Sequence, residues 1–167
     1  LGEETLIEST LQRASLSVDR DHIVVVTTRE HRVEADEALL HWPEAWRIDQ
    51  PENAETTAGI LLPALEVLDR DPDAVLLALP SDHAVTQPRR FMRAMDHAAE
   101  LVERNHALVA ILAADGDEHE RDYGWLVPGV EIGEALGWRR VREFREKPSQ
   151  AELRELLRHG ARINTFS

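Results

Sequence analysis

Two residues far apart in this chain are the best placed to do chemistry: an aspartate just past one apolar run and a lysine at the end of another. Asp82 lies in Pro80-Ser81-Asp82-His83, directly after the apolar residues 74–79. A carboxylate at the C-terminal end of a buried strand is where α/β sheets present metal and ligand groups. One such oxygen can hold Mg²⁺ and leave other positions to substrate phosphates. The same residues also read as a plain turn or N-cap, with Ser81 and Asp82 satisfying backbone donors. Lys147, in Arg145-Glu146-Lys147-Pro148, is the only lysine, against eighteen arginines. Its ammonium is a compact point charge suited to a phosphate, and Pro148 fixes the bend that aims it. A solvated strand end is the plain alternative. Together the two segments point to chemistry on phosphates.

Two further stretches carry weaker signals. In Asp122-Tyr123-Gly124-Trp125, a glycine inside a strand marks either close approach by a ligand or a bulge. Gln50-Pro51-Glu52-Asn53 leads into a helix start near Thr56-Thr57, whose amides can meet a base edge or phosphate. A capped helix start without a ligand is the commoner case. The eight histidines show no HExxH or comparable ligand spacing, and there is no GxSxG, Walker A or GxGxxG motif.

The elements that must position these residues alternate. Residues 1–14 read as a helix, with Thr5 and Glu8 at capping-box spacing. Residues 22–27 are β-branched and continuous, as in a strand buried on both faces. Thr27 and Glu30 repeat the capping spacing and predict a helix to about Leu40. Residues 46–49 form a short strand candidate, and a helix follows from about Thr56 to Leu68. The apolar runs 74–79 and 107–113 read as further buried strands, separated by a helix that Pro88 opens. Residues 123–127 and 138–146 read as strands. Ser149 with Glu152 caps a last helix that Gly160 ends, and residues 164–167 resemble a strand. Alternation of this kind predicts a mixed, mostly parallel sheet with helices on both faces. With no repeat and no long linker, residues 1–167 are expected to form one domain whose two ends look cut.

Composition sets outer limits. A chain of 167 residues that is 43% apolar and 31% charged is globular in type. The net charge of −13 disfavours a nucleic-acid polymer as partner, yet a single nucleotide needs only a few local cations. No apolar run approaches membrane-helix length. The absence of cysteine fits a reducing compartment, with the cytoplasm as the default. Trp42, Trp46 and Trp138 suit a core better than an interface, which leaves homo-oligomerisation open.

In order, residues 24–31, Gln50-Pro51-Glu52-Asn53 with Thr56, residues 79–83, Tyr123-Gly124-Trp125, residues 144–148 and Asn164-Thr165-Phe166 resemble the sugar-nucleotide pyrophosphorylase family. The likeness is strongest to its mannose-1-phosphate guanylyltransferase-like nucleotidyltransferases. The resemblance covers nearly the whole chain. It implies a Rossmann-like, GT-A-type α/β fold. It also implies transfer of a nucleoside monophosphate, GMP before others, from a triphosphate to a sugar 1-phosphate such as mannose 1-phosphate, with release of pyrophosphate. By that resemblance Asp82 holds Mg²⁺ and Lys147 grips the sugar phosphate. Gly124, Glu146 and Asn164 line the sugar pocket, while Gln50, Pro51 and Thr56 face the nucleotide. The family's glycine-rich GxGTRL-type loop precedes the first helix, and its second metal carboxylate lies beyond the Asn-Thr-Phe segment. The chain as written is therefore expected to be incomplete for catalysis. Where the family usually carries Arg, then Asn or Gly, then Thr-Ala, this chain has Ala54-Glu55-Thr56-Thr57. An acidic residue there is a poor neighbour for a triphosphate, so a non-catalytic binding module is the alternative.

Overall fold

Thr5 opens α1 (Leu6–Ala14) with the capping box that its spacing to Glu8 predicts. The Thr5 amide donates to the Glu8 carboxylate at 2.8 Å, and the Glu8 amide donates to the Thr5 hydroxyl at 3.3 Å. Two donors left open by the first turn are thereby satisfied. The computed structural model describes residues 5–53, 55–132 and 137–166. Contacts divide the chain into two compact units, Leu1–Leu108 and Val109–Ser167.

In the first unit, β1 (Val24–Thr28) and β2 (Trp46–Gln50) pair in parallel, from Val24 opposite Trp46 to Thr28 opposite Gln50. Parallel neighbours need a crossover, and α2 (Arg32–Ala38) with its flanking 3-10 turns supplies it. The predicted Thr27–Glu30 cap does not form. Residues 29–31 make a 3-10 turn, the Thr28 hydroxyl lies 3.0 Å from His31 Nδ1, and α2 starts without a side-chain cap. Leu11 of α1 packs with Ile23, Val25 and Trp42 as the unit's core. Trp42 is buried, whereas Trp46 is half-buried beneath the Arg70 guanidinium, 3.4 Å from its ring centre. Two longer helices follow, α3 (Glu55–Arg70), which carries Pro63 in its interior, and α4 (Pro88–Arg104), opened by Pro88.

The single mostly parallel sheet expected from the sequence is not what forms. Residues 74–79 run without joining a ladder, and Leu76 and Leu77 are 49% and 37% exposed. Instead of pairing, Leu77 and Leu79 line a cavity of about 150 Å³ together with Val24, Val26, Leu11 and Ala14. Of the run 107–113 only Ala113 enters a strand, and Val109 is 88% exposed. Continuous apolarity marks a strand that can be buried on both faces. It does not supply the neighbour whose amides complete a ladder.

The second unit is a four-stranded antiparallel sheet in the order β3 (Ala113–Ala114), β6 (Arg162–Asn164), β4 (Gly124–Glu131), β5 (Arg139–Glu146). The sheets are therefore split, parallel in one unit and antiparallel in the other. Ser149 caps α5 (Gln150–Arg158) in a second complete capping box with Glu152. Gly160 then turns the chain at φ 74°, a backbone angle that glycine adopts at little cost. Trp125, Val127, Leu153, Leu156 and Ala161 make the core, and the Trp125 indole N–H donates to the Glu120 carbonyl at 2.9 Å. Among the described residues no helix is long and apolar enough to cross a membrane.

Candidate functional site

The predicted site residues fall into two groups, one in each unit. In the second unit the sheet register brings three of them into a row. Gly124 at the start of β4 is paired with Glu146 at the end of β5. On the other side of β4, Trp125 is opposite Ile163, so the antiparallel step beyond it sets Asn164 level with Gly124. Residues level across neighbouring strands share one face about 5 Å apart. Trp125, one residue on, points to the opposite face and fills the core.

Gly124 is where this row stays low. A Cβ there would stand 2.8 Å from Glu146 Oε2 and 2.8 Å from the Phe144 ring. The Glu146 carboxylate and Phe144 thus close over bare backbone, with Phe144 half-exposed. Phe144 is a site residue that the sequence reading misses. Its signal is the strand period, which places residues i and i+2 on one face and so sets Phe144 beside the candidate Glu146. Asn164 is half-buried, and its side-chain oxygen accepts from the Phe166 amide at 3.2 Å, which fixes its plane.

Lys147 follows directly, with φ at 43°. Among the described residues it is the only non-glycine in the left-handed region, a conformation that costs an L-residue about 1 kcal/mol or more. Its amide donates to the Tyr123 carbonyl at 3.2 Å, which ties the strained position to the strand carrying Gly124. The ammonium is exposed and forms no ion pair among the described residues. Nearby arginines are engaged: Arg145 pairs with Glu143 at 2.8 Å and Arg162 with Asp115 at 2.7 Å. The Glu143 bond holds the Arg145 guanidinium above its usual pKa. The second unit thus sets the uncommitted point charge of Lys147 beside a shelf bearing a carboxylate and a carboxamide. Such a surface can hold the hydroxyls and the phosphate of a phosphorylated sugar.

In the first unit, Asp82 sits in the turn after residues 74–79, its side chain 81% exposed, with His83 Nε2 3.8 Å from its carboxylate. Its donor chemistry suits Mg²⁺, which takes oxygen ligands and uses one or two carboxylates alongside substrate phosphates. A separate exposed group, Asp19, Asp21 and His22, offers three ligand atoms within 4.8 Å of one another. A divalent cation can use such a set, but its imidazole is a poor match for Mg²⁺. Gln50 ends β2 buried, its side-chain nitrogen 3.2 Å from where a Cβ of Gly59 on α3 would lie. The Gln50 amide is thus packed against α3. Pro51 and Thr56 are exposed. Ala54, in the departure from the family pattern, lies outside the described residues.

Comparison with known proteins places the chain in a family. The sequence profile of the family described as nucleotidyl transferase matches residues 1–163. The alginate biosynthesis protein AlgA of Pseudomonas syringae pv. tomato is 27% identical over 161 residues, covering 95% of this chain and 33% of its own. A mannose-1-phosphate guanylyltransferase of Sinorhizobium fredii is 29% identical over 163 residues, 96% of this chain and 31% of its own. The chain therefore spans about a third of the length of the curated relatives it matches. Among solved structures, one described as mannose-1-phosphate geranyltransferase from Thermus thermophilus superposes with a TM-score of 0.85 at 28% identity. That match covers 96% of this chain and 45% of the other. With the profile spanning nearly every residue, the chain belongs to the nucleotidyl transferase family and is related to mannose-1-phosphate guanylyltransferase-like proteins.

Proposed function

We propose that this chain is the part of a nucleotidyltransferase that holds a sugar 1-phosphate for attack on a nucleoside triphosphate, with mannose 1-phosphate and GTP the preferred pair. One observation carries the reading: Glu146, Gly124 and Asn164 stand in a row across three neighbouring strands, with the unpaired charge of Lys147 at its end. In this reaction an oxygen of the sugar phosphate attacks the α-phosphorus of the triphosphate. A new P–O bond forms as the bond to the bridging α–β oxygen breaks, and pyrophosphate leaves with that electron pair. The nucleophile is already an anion, so no general base is needed, and catalysis rests on positioning and charge neutralisation.

The residues divide the task accordingly. Lys147 neutralises the sugar phosphate, which otherwise repels an anionic triphosphate. Glu146 and Asn164 accept from and donate to sugar hydroxyls, and Gly124, having no side chain, lets the Glu146 carboxylate and the Phe144 ring settle against the β4 backbone. Gln50, Pro51 and Thr56 form the nucleotide side, where Gln50 acts by supporting α3. Asp82 is the residue that would hold Mg²⁺, which when bound neutralises charge on the phosphates. The reading includes a cytoplasmic setting and no nucleic-acid polymer as partner.

The test is pyrophosphate release by the full native protein with Mg²⁺, each of the four common triphosphates, and mannose or glucose 1-phosphate. Release with GTP and mannose 1-phosphate is expected. Lys147→Ala should raise KM for the sugar phosphate roughly ten- to a hundredfold, the worth of one charge-assisted contact, and leave KM for the triphosphate unchanged. Asp82→Asn should abolish release at an unchanged melting temperature. A well-folded native protein that releases no pyrophosphate with any pair would overturn the proposal in favour of a non-catalytic binding module, with Glu55 the first residue to revert.

A further inference from the structure

Among the described residues of the first unit, Arg13 is the most deeply buried charged one, 3% exposed on α1. An isolated buried cation is costly unless it is paired, yet among the described residues Arg13 faces no carboxylate. Its Nη2 donates to the Thr10 hydroxyl at 2.8 Å, one turn back along α1. Its Nη1 donates to the carbonyl of His83 at 3.4 Å, seventy residues away in sequence. The guanidinium carbon stands 5.5 Å over the ring of Phe91 in the first turn of α4. Nε is buried with no hydrogen-bond partner. Burial pushes the guanidinium below its usual pKa, but arginine remains charged at any working pH.

A planar fork held at Thr10 and lying over Phe91 has little freedom left, and its remaining arm reaches one backbone oxygen. That oxygen belongs to the residue after Asp82. We infer that Arg13 is a positioning residue for Asp82, clamping the turn 80–83 through the His83 carbonyl and supplying an uncancelled positive charge to the anions gathered there. The inference rests on the reading of Asp82 proposed above. Arg13 acts through the turn and touches no substrate. A leucine would pack on Phe91 without the desolvation cost. A lysine would keep the charge but could not hold Thr10 and His83 together.

The experiment combines amide hydrogen exchange with kinetics on the full native protein and its Arg13→Lys, Arg13→Met, Asp82→Asn and Arg13→Met/Asp82→Asn variants. Exchange at residues 81–85 should rise about tenfold or more in Arg13→Lys and Arg13→Met, with exchange elsewhere in the first unit unchanged. The constant kcat should fall about ten- to a hundredfold, as for other residues that orient a ligating group, with KM for sugar phosphate within about twofold. Because Arg13 works through Asp82, adding Arg13→Met to Asp82→Asn should leave whatever residual release the single variant retains within about twofold. Should Arg13→Met not fold, Arg13→Lys carries the same test. If exchange at the turn is unchanged, or if kcat, KM and melting temperature deteriorate together, the inference is overturned. If Asp82→Asn itself leaves pyrophosphate release intact, the reading of Asp82 fails instead. The exchange data still decide whether Arg13 clamps the turn.

Discussion

The two units of this chain treat apolar sequence in opposite ways. In the second, a modest run beginning at Gly124 becomes the centre of an antiparallel sheet, with Trp125 and Val127 fully buried. In the first, the richer run 74–79 joins no ladder and leaves Leu76 about half exposed and Leu77 more than a third exposed. Intrinsic strand preference does not separate them, since the second run is the less apolar. Partners do: β4 has β5 on one side and β6 on the other, whereas residues 74–79 border a cavity across from β1. Hydrophobic burial is deepest where the ladder is complete, because a strand buried without paired amides carries the cost of unsatisfied donors.

The sharpest way to break this comparison is to truncate one large side chain in each run. Trp125→Ala should destabilise the protein by about 3–5 kcal/mol, the usual cost of emptying an aromatic site in a packed core, and it also frees the Glu120 carbonyl. Leu77→Ala should cost less, about 1–2 kcal/mol, because more than a third of its surface stays in water. Urea unfolding curves of the two variants measure the difference. Equal losses would show that residues 74–79 are as tightly packed as β4 and that the contrast is unreal.

A smaller effect probes the helix starts. Both Thr5–Glu8 and Ser149–Glu152 form reciprocal caps, while Thr27–Glu30, spaced identically, does not. Ser149→Ala should cost about 1 kcal/mol, whereas Thr27→Ala should stay within about 0.5 kcal/mol. Thermal melts suffice, and a Thr27→Ala loss matching Ser149→Ala would contradict the geometry described for α2.

These contrasts show which parts of the molecule are legible in its sequence. Local signals read correctly where they need only local partners. The caps at Thr5 and Ser149, Pro88 at a helix start and Gly160 at a helix end are all visible there. The row of candidate residues in the second unit is legible as an ordered set, and the register explains why they meet: Gly124, Glu146 and Asn164 lie on strands that pair directly. What the sequence conceals is non-local. The pairing of 74–79 depends on a neighbour, and the missing cap at Thr27 reflects β1 staying extended through Thr28 in its register with β2. The burial of Arg13 cannot be foreseen from α1 alone, since His83 and Phe91 lie far along the chain.

Acid provides the gentlest discrimination between the units. In the second unit, hydrogen bonds and charge from Arg154 hold the Glu118 carboxyl below its usual pKa, and the Ser149 hydroxyl and amide do the same for Glu152. In the first, bonds from Thr5 lower Glu8. A carboxylate whose folded pKa is depressed binds protons less readily than in the unfolded chain. Its contribution is therefore complete above the ordinary carboxylate pKa of about 4.3 and is lost as pH falls toward the folded value. All three groups are exposed, so solvent screening keeps each effect small. Glu118→Gln should lower the melting temperature slightly at neutral pH, and the gap to native protein should close as the pH drops below about 4. A gap that persists in acid would mean that Glu118 acts through packing, leaving the Arg154 pair without a share in holding α5 to the loop before β4.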